Sequence, residues 1–473
     1  MKQSEAPGFI KVKRGFIQRQ NLHPAQILVG GFLIVILLGT LLLSLPISAA
    51  NGEATSLIDA LFTTTSAVCV TGLTVVNTSM HWSSFGKTVI LFCIQIGGLG
   101  FMTLVSMLFI VLGKRITLKN RLIMQEALNF NTTAGIVRFT THIVKGTLLV
   151  EGIGAFLLCF AFIPDYGFIK GIIYSIFHSI SAFCNAGFDL IGTRSLTPYV
   201  GNSIVNLVIM SLIVVGGLGF SVWIDTYKMI RGKLKAPKHF KWKQAFNKMS
   251  VHTRLVWILT ISLLLIGFIV IFVLEYKNPG TLGPLTFKEK IYAAMFQSVS
   301  PRTAGFNTVD LASLTDTSKL VTILLMFIGG SPAGTAGGIK TVTVGVLMLC
   351  AISTIRGNEQ TTVFKRRIPL QIITRALTII MISIMVVFTV VGILSLSENF
   401  TFMEILFETI SAFATVGTTL GITPLLSITG KITIIIVMFI GRLGPITMAM
   451  ALMVRQSKNK GNIQYPEEKV MVG

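Results

Sequence analysis

The chain has 473 residues, of which 52% are hydrophobic and 12% charged, and it carries a formal net charge of +22. A soluble protein holds about twice that charged fraction, so the composition excludes an ordinary soluble domain. Several apolar runs of about 20 residues, the length that crosses a hydrocarbon core, point to a polytopic membrane protein.

In chain order, residues 1–23 are a basic, polar start. The first repeat, 24–113, has a span at 24–46, a short outer loop with Asn51, Gly52 and Glu53, and a short apolar helix at 57–68. That helix is too brief to cross and is read as a half-membrane segment. A glycine loop, a polar stretch at 77–84 and a span at 85–112 complete the repeat. The first span is longer than a signal-peptide core and is read as retained.

The same order recurs three times. The second repeat and its preceding loop occupy 114–223, with spans at 143–163 and 204–223 and a short helix at 169–183. The third occupies 224–350, with a span at 255–274, a short helix at 289–299 and a trailing span from 320. The fourth occupies 351–455, with spans at 376–396 and 432–454 and a short helix at 402–413. A polar tail, 456–473, follows. The expected fold is all-α, eight transmembrane helices in four span–pore helix–span repeats with fourfold pseudo-symmetry.

Charge sorting sets the orientation. The N-terminus, the loops 113–142, 223–254 and 354–375, and the tail from 454 hold 28 Lys and Arg against 6 acids. The opposite face holds 9 against 11. By the positive-inside rule both termini are cytoplasmic, in a multi-pass protein of the cell membrane. The positive excess is therefore read as topology and not as a nucleic-acid site, although anionic lipid or an acidic partner can use that face. The five cysteines lie in apolar runs and imply no disulfide framework, and the six histidines show no metal-binding spacing.

The four short helices end in related sequences, closed by Gly72, Gly187, Gly305 and Gly417, which lie 115, 118 and 112 residues apart. A cation crossing a bilayer exchanges its water shell for fixed oxygens, which extended backbone carbonyls supply. Non-helical backbone is tolerated at that depth only where it lines a cavity. The expected ion-coordinating backbone is therefore Val70, Thr71 and Gly72, then Asn185, Ala186 and Gly187, then Thr303, Ala304 and Gly305, then Val416 and Gly417. One such glycine alone would more often be a helix cap. Four in register after half-spans favour the ion pathway.

A second register supports the first. Gly97, Gly216, Gly329 and Gly441 follow the loop glycines by 25, 29, 24 and 24 residues. In the first two trailing spans, close helix packing explains these small residues well. The next position is Gly98, Gly217 and Gly330 in three repeats but Arg442 in the fourth. An arginine at membrane depth is a functional candidate. The third repeat runs Gly329, Gly330, Ser331, Pro332, Ala333, Gly334, Thr335, Ala336, Gly337 and Gly338, then Lys340. Glycine and proline at that density cannot hold a helix. The segment 329–341 is expected to be an intramembrane gating loop, with Arg442 either holding its carbonyls or acting as a positive barrier in the pore. Glu151 has no assigned partner. Asp59, Glu404 and Glu408 are read either as cation attractors at the outer mouth or as helix-capping acids.

These loops and repeats resemble the Trk/Ktr/HKT superfamily of potassium transporters over roughly residues 24–455. The resemblance implies one potassium selectivity filter built from the four glycines. Sodium-selective plant relatives carry serine at the position of Gly72. Trk-type subunits usually have two further N-terminal spans, so the chain looks like the Ktr type, a membrane subunit resembling KtrB. The resemblance also implies a homodimer on a cytosolic ring of regulatory subunits resembling KtrA or KtrC. Nucleotide is then bound by that ring and no cofactor is bound tightly by this chain. Potassium is the cargo, held at the filter only, and sodium is a candidate activator. Two other readings are a sodium-permeable member of the same superfamily and a membrane-embedded enzyme. No acid, His or Cys cluster recurs in the spans to support the enzyme.

Overall fold

The computed structural model describes residues 24–100, 103, 121, 123–125, 135–192, 195–235 and 241–453. The expected cytosolic start 1–23, the tail 456–473, and most of the loop 113–142 and of the second half of the span 85–112 lie outside them. The first group of helices is α1 (Pro24–Leu43), α2 (Leu57–Cys69) and α3 (Ser84–Leu99). Next come α4 (Ile136–Tyr166), α5 (Phe168–Phe183), α6 (Ser203–Gly217) and α7 (Phe220–Lys235). A third group holds α8 (Val251–Glu275), α9 (Phe287–Val299), α10 (Asp316–Phe327) and α11 (Thr341–Ile355). The last holds α12 (Leu370–Ser397), α13 (Phe402–Phe413), α14 (Ile428–Leu443) and α15 (Pro445–Met453). A two-stranded antiparallel hairpin, β1 (Thr362–Val363) and β2 (Arg366–Arg367), joins α11 to α12.

Local chemistry starts many of these helices. Ser56, Ser83, Asn202, Ser250, Thr315 and Ser427 accept a bond from a first-turn amide of α2, α3, α6, α8, α10 and α14. Thr286 with Glu289, and Thr401 with Glu404, form capping boxes on α9 and α13. Each satisfies amides that a helix leaves unpaired at its start.

The layering is the reverse of a soluble protein. The short helices are central, and their serines and threonines, such as Thr64, Ser66, Ser179, Ser181, Thr409 and Ser411, are buried. The long helices carry exposed Leu37, Leu41, Phe156, Phe160, Ile269 and Phe388 on their outer faces. Burying polar groups and exposing large apolar ones fits a hydrocarbon solvent. Among the described residues four helices, α1, α4, α8 and α12, are long and apolar enough to cross a membrane, and the number is six if each of two bent pairs counts as one span.

Those bends correct an expectation. Continuous trailing spans were expected in every repeat but the third. Instead α6 and α7 meet at 107° across Leu218 and Gly219, and α14 and α15 meet at 97° across Gly444. In the first repeat α3 stops before Gly100. Gly100, Gly219 and Gly444 all have positive φ, which glycine adopts without a Cβ clash. In the second and fourth repeats the trailing segment breaks just beyond its Gly-Gly or Gly-Arg pair, whereas in the third it leaves the helix at Ile328, before Gly329 and Gly330, and stays non-helical to Lys340.

Candidate ion pathway

The four sequence-distant loops meet in one ring. A Cβ built on Gly187 would stand 2.7 Å from the carbonyl oxygen of Ala304, and one on Gly305 would stand 2.6 Å from that of Val416. On Gly72 it would overlap the oxygen of Ala186, and on Gly417 that of Thr71. Each glycine thus abuts the residue before the next repeat's glycine, and the fourth returns to the first. All four have φ between +70° and +92°. No side chain fits at any of them without displacing a ring carbonyl.

The glycines do not cap the short helices. In α2 the amide of Val70 bonds Ala67 O and that of Thr71 bonds Ser66 O, a Schellman closure with Val70 left-handed at φ 56°. Asn185 and Thr415 play the same part after α5 and α13. Thr303 is also left-handed, although in the third repeat Ala304 N bonds Ser300 O instead. A valine or threonine with positive φ is uncommon and costs energy, so the surroundings impose it. Thr415 was missing from the expected set. Its register, two residues before Gly417, was the signal that locates it. Ser66 and Ser411 donate nothing to their caps but accept from the amides of Gly72 and Gly417 at 3.0 and 3.1 Å.

Above the ring lies a cavity of about 510 Å³. The four glycines line it together with polar groups such as Asp189, Asn307, Asp310 and Thr419. The outer acids have structural partners. Asp59 pairs with Lys431 at 2.8 Å, Glu404 belongs to the capping box of α13, and buried Glu408 accepts bonds from Thr419 and Thr423 beyond Gly417. Glu151 also has partners. It accepts bonds from Gln95 at 3.2 Å to each oxygen, and Cys184 Sγ lies 3.8 Å away, just before Asn185.

Gly97, Gly216 and Gly441 serve close approach. A Cβ on each would overlap the carbonyl of Val68, Phe183 or Phe413, the residue four before the ring glycine. In the third repeat Gly329 abuts Gly337 O instead. Gly216→Ala is therefore expected to lower the stability of the detergent-solubilised protein by about 1–3 kcal/mol, as overpacking does. A thermal melt unchanged from the parent would show that α6 can move away freely.

The segment between α10 and α11 is non-helical from Ile328 to Lys340 and crosses from the second repeat to the fourth. On one side Ser331 N bonds Gly217 O at 2.9 Å, Thr335 Oγ1 donates to Phe183 O at 3.0 Å, and Phe220 N bonds Ala333 O at 2.8 Å. The last bond ties this loop to the α6–α7 bend, which the sequence did not reveal. On the other side, a Cβ on Gly337 would overlap Thr415 Oγ1, and one on Gly338 would lie 3.2 Å from Ala414 O. Lys340 Nζ donates back to Ala336 O at 2.6 Å. Arg442 donates from Nη1 to Thr335 O and from Nη2 to Gly97 O. It joins the loop to the end of α3, with no acid beside it among the described ion pairs.

Known proteins resemble this chain over most of its length. The family model described as TrkH, cation transport protein, matches residues 7–462. Ktr system potassium uptake protein B of Bacillus subtilis is 43% identical over 95% of this chain and 97% of its own. The potassium/sodium uptake protein NtpJ of Enterococcus hirae is 40% identical over 96% of this chain and 98% of its own. The crystal structure of the potassium transporter TrkH from Vibrio parahaemolyticus has the same fold, with a TM-score of 0.70 at 20% identity. That match covers 92% of this chain and 86% of that one.

Proposed function

The chain belongs to the TrkH family of cation transport proteins, and from that premise we propose that it takes up potassium as the ion-translocating subunit of a Ktr-type system. The single observation that carries the reading is the closed ring of four loop glycines beneath an open polar cavity. A cation entering that cavity sheds water and meets backbone carbonyls of Val70 and Thr71, Asn185 and Ala186, Thr303 and Ala304, and Thr415 and Val416. Carbonyl dipoles held at fixed spacing replace the hydration shell, and the number and field of the dipoles set which ion is preferred. The loop 328–340 lies across the exit and is the gate, with Arg442 as its latch.

The same reading gives eight spans in four pseudo-symmetric repeats. Each interrupted trailing segment counts as one span, and both termini are cytoplasmic. The protein works as a homodimer with a cytosolic regulatory ring that binds the nucleotide. Support for a partner comes from the relatives named as proteins of a Ktr system. A second reading, permeation by sodium as well, is favoured by the relative named for both ions.

The test is rubidium uptake into liposomes holding the purified protein. Rubidium is expected to enter well above empty vesicles, with a tenfold excess of sodium reducing uptake by less than about half. No uptake would overturn the transport reading. Equal competition by sodium would replace it with the second.

A further inference from the structure

We propose that α7, with the short helix Trp242–Lys248 beside it, lies along the cytoplasmic membrane surface as an amphipathic platform for anionic phospholipid headgroups. The proposal rests on membrane insertion and on the inside position of the basic loops. It does not depend on which ion is carried.

The first observation is direction. Helix α6 is predominantly apolar, and the chain then turns by 107° into α7. With α6 along the membrane normal, α7 runs close to the membrane plane. The second is the pattern on α7. Tyr227, Ile230 and Leu234 are 62%, 46% and 76% exposed. At 3.6 residues per turn they share a stripe roughly 60° wide. Lys228 and Arg231 fall on one side of that stripe and Lys233 on the other. An apolar stripe flanked on both sides by cations is the arrangement of an interfacial helix, whose basic side chains reach headgroup level while the stripe enters the acyl boundary.

The third observation is the neighbour. Lys233 Nζ stands 4.3 Å over the ring of Trp242, which is itself 53% exposed. An exposed indole next to lysines suits the headgroup zone, where its apolar body and polar N–H are both satisfied. The fourth is charge. Between residues 223 and 254 there are nine Lys and Arg and one acid, Asp225. Asp225 is turned to the start of α8, where it accepts from Ser250 Oγ at 2.9 Å and Thr253 Oγ1 at 2.8 Å. Lys228 stands off from it, with Nζ 4.0 Å from the carboxylate. An acidic soluble protein would answer the charge but would leave the apolar stripe without a matching surface, whereas a lipid leaflet answers both.

The test uses the full chain in nanodiscs of mixed phosphatidylcholine and phosphatidylglycerol, with bromine on the chains of one lipid at a time. The emission lost on Trp242→Phe isolates the signal of Trp242 from the other three tryptophans. Brominated phosphatidylglycerol is expected to quench that signal about twofold more than brominated phosphatidylcholine at the same mole fraction. Substituting Lys228→Gln, Arg231→Gln and Lys233→Gln together should bring the ratio close to one. If the triple variant does not insert, Leu234→Gln should reduce quenching by both lipids. No quenching by either lipid would place the helix in water, as a protein-binding face, and overturn the proposal. Equal quenching by both in the parent would also overturn it, because the platform would then not recognise the headgroup.

Discussion

Shortening the loop within residues 331–338, or replacing Arg442 with alanine, is expected to raise ion flux by about tenfold or more. Arg442 donates to Thr335 O on the loop and to Gly97 O at the end of α3. Hydrogen bonds to a charged group contribute about 1.5–3 kcal/mol each, and 1.4 kcal/mol is a tenfold change in an equilibrium. On the proposed gating role, losing these two bonds is enough to produce a change of that size. The substitution also removes a positive charge from beneath the ring, which a cation must otherwise pass. The loop's other ties include backbone bonds to Gly216, Gly217 and Phe220 at the α6–α7 bend and the bond from Thr335 Oγ1 to Phe183 O. Under the proposed function, the bend is where the cytosolic partner would act on the loop. Both variants should be measured at matched membrane expression, with and without that partner. Parental flux and a full response to the partner in both would make the loop a packing element and put the gate elsewhere.

Gly72→Ser is expected to reduce discrimination of potassium over sodium by about tenfold. Glycine holds φ +92° there, and a serine forced into the left-handed region costs roughly 1–2 kcal/mol. The new Cβ would overlap Ala186 O, and the next contact is Gly187 Cα at 3.1 Å. Either Ala186 O moves or the loop at Gly72 does, and both change the oxygen spacing of the ring. Because Gly417 abuts Thr71 O, movement at Gly72 reaches the fourth loop as well as the second. The serine hydroxyl adds a ligand that a smaller, more strongly hydrated ion can use. The readout is sodium inhibition of rubidium uptake in liposomes. An unchanged inhibition curve in correctly inserted protein would remove Gly72 from the selective ring.

How much could be read beforehand differs between helices and breaks. The short helices were legible almost to the residue. Helix α13 matches its expected bounds, and α2 and α5 differ from theirs by one residue. Their starts are announced by Ser56 and by Thr401 with Glu404, and their ends by the loops. The long helices were legible in place but not in length. Helix α4 begins at Ile136, seven residues ahead of the expected span, because Arg138 and His142 mark polarity without breaking a helix. The break at Gly444 had a sequence signal in the Gly444-Pro445 pair. The break at Gly219 had only a glycine, which a helix tolerates at about 1 kcal/mol. What favours the break there is Ala333 O, which takes the amide of Phe220 from another repeat. Similarly, the acids Asp59 and Glu408 look like mouth charges until Lys431, Thr419 and Thr423 are placed beside them.

By itself the sequence pointed to a membrane protein and showed four related glycine loops, each after a short apolar helix, at nearly constant spacing. Hydropathy, capping residues and glycine spacing act within a few residues of chain, so one dimension is enough to read them. Only the tertiary structure decided that the four loops close on one another in cyclic order, with Gly417 returning to Thr71. It also decided that the loop of the third repeat rests on the bend of the second, and that Arg442, expected on the loop's carbonyls, bonds Thr335 O and reaches Gly97 O of the first repeat as well. The ring and bend contacts join backbone groups from separate repeats, and a carbonyl carries no side-chain identity. Nothing in the residue types states which oxygen faces which glycine until packing brings them together.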